Sequence, residues 1–328
     1  MMDCRENKKR TSMNKSQPMV SVIVPNYNYA RFLDERMRSI LSQTYQNFEI
    51  IILDDCSTDN SREVIEKYRS NPKVSQIVVN EKNSGGPFIQ WDRGMRLAQG
   101  ELIWIAEADD SCAPTFLEEM IRGYLLDARC TLMFCRYVKI DDEGREITRR
   151  YAEEKSLLLG GKHFIREYLA YGVTIENVSS VVFSKRVALE VDKAYMTFPG
   201  SGDWLFYVLL AERGKVFHVR KQLDYFRRHA GTTTSEKEFD GRNVIGDKMV
   251  YDEMVRLGYI NPLARMLVKA RRRWGYIHRQ FKTDEIRDKS YRLWGITERN
   301  KKSTRMLVRL SGHYISLVHR IDALLYAV

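Results

Sequence analysis

Between Val20 and Ile140 the chain alternates short apolar runs with amphipathic ones, and this alternation constrains the fold more than any other feature. The segments VSVIVP (Val20–Pro25), FEIIIL (Phe48–Leu53), VSQIVVN (Val74–Asn80) and ELIWIA (Glu101–Ala106) are short apolar runs that read as strands, the last continuously apolar from Leu102 to Ala106, as a strand covered on both faces must be. Helical spacing fills the gaps in RFLDERMRSILSQ (Arg31–Gln43), STDNSREVIEKYRS (Ser57–Ser70) and FIQWDRGMRLAQ (Phe88–Gln99). TFLEEMIRGYLLD (Thr115–Asp127) continues the series as a helix, and TLMFCRYVKI (Thr131–Ile140) reads as a fifth strand. Such alternation predicts βαβ units and an α/β fold with a mainly parallel central sheet flanked by helices.

Each expected strand delivers polar residues at its carboxyl end. Asn26, Tyr27 and Asn28 follow the first, Asp54 and Asp55 the second, Asn83, Ser84, Gly85 and Gly86 the third, and Glu107, Asp109 and Asp110 the fourth. Carboxyl ends of parallel strands share one edge of an open sheet, where ligands bind. Any one cluster alone reads equally well as a solvated turn; four together predict one crevice. Three carboxylates within four residues repel one another and call for a cation. No G-x-G-x-x-G follows the first strand and no G-x-x-x-x-G-K-[ST] occurs, so neither a dinucleotide fold nor a P-loop is supported. A diphosphate is then expected to be held through Mg²⁺ or Mn²⁺, which take carboxylate and phosphate oxygens. Asp54 and Asp55 offer acceptors to a base or ribose, and Tyr27 a stacking face.

The segments VSVIVPNYN, ILSQTYQNFEIIILDDCSTDNS, NSGG and GELIWIAEADD resemble the successive signatures of family 2 glycosyltransferases, over roughly Val20 to Gly231. The resemblance implies an inverting enzyme of GT-A fold that uses a nucleotide-diphosphate sugar, usually of uridine. It implies a donor site in which Tyr27 packs on the base and Asp55 hydrogen-bonds it, with Pro25, Asn28, Asp54, Asn83, Gly85 and Gly86 around them. Asp109 would contact the ribose and Asp110 the metal. Glu107 stands where the family's D-x-D motif more often has aspartate, which leaves open which two of the three acids touch the metal. Cys56 stands where glycine is common.

In the second half, FPGSGDWLFYVLLAERGKVFHV (Phe198–Val219) places Asp203 in a glycine-rich turn before an apolar helix. Chemically this is as consistent with a helix-terminal carboxylate as with a base; the resemblance implies the catalytic base, which takes the proton of an attacking hydroxyl. YFRRHAGTTT (Tyr225–Thr234) resembles a segment that closes over the donor, with Arg228 and His229 directed to the diphosphate. Asn177, Ser179 and Trp204 are candidates to line the acceptor pocket. A sugar-phosphate nucleotidylyltransferase is an alternative on a related fold, but PNYNYAR stands where its glycine-rich loop belongs; a non-catalytic binding member of the fold is the other.

The net charge of +11 is unevenly placed, since sixteen Lys/Arg against five Asp/Glu lie after residue 260 and account for all of it. An anionic partner for that region is expected. Two readings compete for the final helix: packing on the domain with a solvated basic face, or lying on an anionic membrane surface. Nucleic acid is not expected, because no recognised binding motif accompanies the charge. The expected layout is a disordered tail over 1–18, a donor half over 19–112, an acceptor and base half over 113–240, and a basic helical extension over 241–328. Five cysteines without metal-like spacing, and a polar start without a signal-peptide core, predict free thiols and a cytoplasmic protein, peripheral on the inner face of the membrane if the basic helices attach there. The acceptor is expected to be a glycan or polyprenyl-linked sugar in cell-surface polysaccharide synthesis.

Overall fold

The computed structural model describes residues 17–229 and 240–328. Most of the expected tail, and Ala230–Thr234 of the donor-closing segment, lie outside the described residues. Gln17 and Pro18, assigned to the tail, are held in the fold: Asn47 Nδ2 donates to the Gln17 carbonyl at 2.8 Å, and the Tyr45 hydroxyl to that of Pro18.

The four expected strands form as β1 (Val20–Asn26), β2 (Phe48–Asp54), β3 (Val74–Val79) and β4 (Leu102–Ile105). They are joined by α1 (Ala30–Leu41), α2 (Ser61–Glu66) and α3 (Pro87–Leu97). All three pairings among them are parallel. The register sets Asn26 beside Asp54, and backbone bonds from Asp55 to Asn26 and from Asn80 to Asp54 carry the alignment past the strand ends. The polar clusters therefore do share one edge. α2 is shorter than its sequence pattern predicts, because Ser57, Thr58 and Asp59 bond to Asp54, Asn28 and Ala30 and so serve the first loop instead of the helix.

Beyond β4 the strand directions mix. β5 (Ser111–Cys112), β6 (Cys130–Ile140), β7 (Leu157–Gly160), β8 (Val181–Ser184) and β9 (Lys215–Arg227) complete a sheet of nine strands among the described residues. Its order is β3-β2-β1-β4-β8-β6-β9-β5, with β7 also on β9. β8 lies antiparallel between β4 and β6, and β9 runs parallel to β6. α4 (Phe116–Leu126), α5 (Gly161–Glu167), α6 (Lys185–Glu190) and α7 (Gly202–Glu212) connect these strands.

Because successive strand residues point to opposite faces, the sheet buries two cores. Val22, Val24, Ile50 and Ile52 pack with Leu33, Met37 and Ile40 of α1 on one face. Ile23, Ile51, Leu53, Ile103 and Ile105 pack with Trp91 and Met95 of α3 on the other, and that core continues into α7 and the C-terminal region. The latter comprises α8 (Arg242–Arg256), α9 (Pro262–Ile277), α10 (Asp284–Trp294) and α11 (Glu298–Leu325). Val244, Val250, Met254, Val268 and Trp294 share the second core, so the extension is built into the domain. Four cysteines, Cys56, Cys112, Cys130 and Cys135, are free thiols.

Candidate active site

β4 ends at the acidic tip, and the structure spends much of its buried polar chemistry holding that tip. The Glu107 amide donates to Ser179 Oγ at 3.1 Å, and Trp91 Nε1 donates to Glu107 Oε1 at 3.0 Å. Asp110 accepts from the Arg227 amide at 2.9 Å and from Asn177 Nδ2 at 2.8 Å. The same Asn177 nitrogen lies 2.8 Å from Asp224 Oδ2. Asp109 Oδ2 is 3.2 Å from His229 Nε2, whose ring packs against Tyr29 and Phe32.

Arg227 is enclosed and acts as a clamp. Its guanidinium donates to the carbonyls of Asp109 at 2.7 Å, Asp141 at 2.8 Å and Asp142 at 3.0 Å, and to Glu35 at 2.6 Å. Arg36 is also fully buried, 4.9 Å over the Trp104 ring, and none of its three guanidinium nitrogens has a hydrogen-bond partner among the described residues. Its positive charge favours the ionised forms of Glu107, Asp110 and Asp224.

Those carboxyls are nevertheless pushed up. Burial, followed by repulsion from Asp109, lifts Glu107 to about 8. The same two causes raise Asp110, and burial followed by Asp110 raises Asp224. Four carboxyls (Glu107, Asp109, Asp110, Asp224) thus share the one buried guanidinium of Arg36, since the charge of Arg227 is matched by Glu35, and the excess of negative charge is of the kind a divalent cation offsets. Among the described residues no cluster of three or more metal-type side chains is already arranged as a cage. One or two carboxylates with phosphate oxygens suffice for Mg²⁺, so this donor set fits a cation that arrives with a diphosphate.

Two clefts meet at the tip, sharing Tyr29, Pro87 and Glu107. The larger, about 680 Å³, gathers Pro25, Tyr27, Asn28, Asp55, Asn83, Gly85, Gly86 and His229, as the sequence predicts. Tyr27 lines this cleft and is 46% exposed, so its ring is accessible to a ligand there. Asp55 is nearly enclosed and accepts from Asn80, Gln90 and the Ser84 amide at Oδ1, and from the Ser84 hydroxyl at Oδ2. Gly85 takes φ +89°, a left-handed conformation suited to glycine, whereas Gly86 is extended and caps α3 ahead of Pro87. The smaller cleft, about 180 Å³, contains Asp109, Asp110, Asn177 and Asp203, the last in the first turn of α7. The Trp204 amide donates to Asp203 Oδ1 at 2.8 Å.

Four expected site residues lie elsewhere. Asp54 is fully buried behind the donor cleft, accepting from Asn26 and Ser57 to shape the loop. Ser179 is enclosed under Glu107 and supports it without lining either cleft. Trp204 points into the core, where the Arg272 guanidinium lies 4.2 Å over its ring, because α7 turns Asp203 and Trp204 to different sides. Arg228 lies over the Phe226 ring and lines neither cleft; its neighbour Arg227 makes the contacts with the tip. The sequence reading missed Arg227, Asp224, Tyr29, Trp91, Gln90, Arg242 and Asn243. Only Arg227 carried a signal, as the first of two adjacent arginines at the end of a strand.

Residues 21–190 match the family described as Glycosyl transferase family 2. The putative teichuronic acid biosynthesis glycosyltransferase TuaG of Bacillus subtilis is 28% identical over 145 residues, 44% of this chain and 57% of that protein. The chain thus spans little more than half the length of that relative. Staphylococcus aureus TarS (residues 1–349), in complex with UDP-GlcNAc, superposes with a TM-score of 0.62 at 15% identity, over 92% of this chain and 91% of that one. The mannosyltransferase PcManGT from Pyrobaculum calidifontis, in complex with GDP-Man and Mn²⁺, gives 0.54 at 15% identity, over 95% and 87%. At such identities the likeness speaks for the fold, which is of the GT-A type.

Proposed function

Since the chain belongs to glycosyl transferase family 2, we propose that it transfers a sugar from a nucleoside-diphosphate donor to a hydroxyl of a glycan or lipid-linked acceptor, with inversion at the anomeric carbon. The observation that carries this reading is the acidic tip at the junction of two clefts, with Asp203 on the wall of the smaller one. In it Tyr27 stacks on the base and Asp55 accepts from its N–H, for which Oδ2, with one bond already made, retains a lone pair. Uridine is the favoured nucleoside, as in the UDP-GlcNAc bound by TarS. Asp109 meets the ribose and His229 steadies Asp109.

Asp110, with Glu107 or Asp109, would hold Mn²⁺ or Mg²⁺, an ion that Lewis-acid chemistry would use to offset charge on the departing diphosphate. Asp203 takes the proton from the acceptor hydroxyl as that oxygen attacks. Trp91 and Asn177 fix Glu107 and Asp110, so the carboxylates do not have to reorganise during the reaction. The products serve cell-surface polysaccharide synthesis, in line with the teichuronic acid role in the name of TuaG. Donor nucleotides are cytoplasmic, and a lipid-borne acceptor would be met at the membrane's inner face. Among the described residues no helix is long and apolar enough to cross a membrane.

The test is thermal stabilisation by UDP, dTDP, GDP and CMP, each with and without Mn²⁺, followed by nucleotide release from the matching sugar donors. A Mn²⁺-dependent shift with UDP, lost in Asp110→Asn, is expected. A ligand at about 100 times its dissociation constant adds about 2.7 kcal/mol, which is readily seen. No shift with any of the four nucleotides would overturn the reading.

A further inference from the structure

α11 turns its more apolar side away from the protein. Toward α9 and α5 it presents Thr304, Ser311 and Asp322, all enclosed, and Asp322 accepts from the Tyr168 hydroxyl and lies 2.9 Å from His163 Nε2. The opposite exposure belongs to Met306, Leu310, Leu317, Ile321, Leu324 and Leu325, which are between 42% and 84% exposed. Their spacing of mostly three and four residues aligns them in one stripe, and at 1.5 Å per residue the stripe runs about 28 Å. Burial in the domain thus does not explain these side chains. A contiguous apolar strip of this length on an isolated surface marks an interaction site.

Charge identifies the occupant. Arg305, Arg309, His313 and Arg320 are exposed on the same helix. No Asp or Glu occurs between Glu298 and Asp322, and Asp322 is turned inward. A second copy docking through the same stripe would bring two such basic rows together. An anionic lipid surface attracts the row and accepts the stripe at once. We propose that α11 lies in the plane of an anionic bilayer surface, with its apolar stripe in the headgroup–acyl boundary and its arginines among the lipid phosphates. The proposal goes beyond the donor-site reading, since vesicle binding needs no turnover.

The experiment is co-sedimentation of the full chain with vesicles of phosphatidylcholine alone, or with about a third of the lipid replaced by phosphatidylglycerol. Binding to the anionic vesicles is expected, about tenfold or more above the neutral ones, and weakening with salt. Leu317→Glu/Ile321→Glu should lower binding at least about tenfold, and Arg309→Glu/Arg320→Glu should abolish the preference for anionic lipid. Both double variants alter exposed side chains, and an unchanged melting temperature together with an unchanged UDP-induced shift, if the wild type shows one, verifies their fold. Absence of binding by the wild type, or unaltered binding by Leu317→Glu/Ile321→Glu, overturns the proposal. So does a dimer in light scattering that the same variant dissociates, which would assign the stripe to a second copy. Vesicle binding without any nucleotide shift would sustain this proposal while removing the donor-site reading.

Discussion

Glu107→Gln tests the electrostatics of the cleft with almost no change of shape. The wild-type carboxyl is raised from 4.5 to about 8, first by burial and then by Asp109. A carboxyl raised in the folded state lends its full stability below its unfolded value and withdraws it as pH climbs through the folded one. Through Glu107, the ligand-free protein should therefore lose stability between about pH 4.5 and about pH 8. The whole difference corresponds to at most about 5 kcal/mol. Because Glu107 is only partly enclosed, and its surroundings relax, about 2 kcal/mol is the working figure. Glutamine keeps an oxygen for Trp91 Nε1 and removes the charge. The variant should match the wild type near pH 4.5 and exceed it by about 2 kcal/mol near pH 8.5. Urea unfolding followed by tryptophan fluorescence at both pH values reads the difference. With Mn²⁺ and UDP added the order should reverse, because the bound cation rewards the lost carboxylate. A difference independent of pH, or a variant weaker than wild type in the ligand-free protein at the higher pH, would refute the reasoning.

Arg227→Met removes the donors to three backbone carbonyls and to Glu35, and should cost about 3–5 kcal/mol in urea unfolding. It should also abolish nucleotide-induced stabilisation, although Arg227 lines neither cleft; retention of that stabilisation would show that the clamp does not position the tip. Asp203→Asn should keep the Mn²⁺-dependent UDP shift and lose about 10²–10⁴-fold in transfer, and a fully active variant would remove the base assignment. Gly85→Ala should destabilise by about 1–2 kcal/mol through its left-handed backbone alone, since a Cβ there meets nothing within 4 Å. Gly86→Ala, in extended backbone with equally open space, should be close to neutral in the same melts, and equal losses at both positions would rule out the backbone account.

The donor half was legible in the sequence because its signals are local. Short apolar runs of Val, Ile and Leu alternating with amphipathic segments read as parallel strands, doubly covered in β1, β2 and β4 but not in the edge strand β3, and the parallel register brings Tyr27, Asp55, Gly85 and Asp109 to one edge. Asp54 shows the limit of that reasoning. It shares the edge and the charge of Asp55, yet the main-chain direction sends one carboxylate under the loop and the other into the cleft. Trp204 fails for a similar reason, since a residue adjacent to Asp203 on a helix points elsewhere. Arg227 and Asp224 were hidden differently, as was the bond that Asn177, a candidate for the acceptor pocket, makes to Asp110: these contacts depend on β9 and the turn at Val178–Ser180 crossing behind β4, between segments far apart in the chain. On α11 the apolar stripe was visible, but its direction was not. Only the enclosure of Thr304, Ser311 and Asp322 shows that the weaker face is the packed one.

The long-range contacts also explain why the tip can be so acidic without dissolving the fold. Asp110 is held by the Arg227 amide and by Asn177, and Asp109 through its carbonyl by the Arg227 guanidinium, so the acids are fixed by donors that do not cancel all their charge. Arg36 adds a second buried positive charge without a hydrogen bond to any of them. Arg227 is itself matched by Glu35, so what remains is a rigid excess of negative charge when all four carboxyls are ionised. A cleft of this kind settles at neutral pH in one of two ways: its raised carboxyls, Glu107 and Asp224, keep protons, or a divalent cation enters. The first describes the ligand-free protein, in which Glu107 is raised to about 8. The second is the donor-bound state of the proposed reaction. Proton release from the wild type on binding Mn²⁺ with UDP, measured in weakly buffered solution near pH 7, should therefore accompany donor binding and fall in Glu107→Gln. If both proteins release the same number of protons, Glu107 is not the group that gives way to the cation.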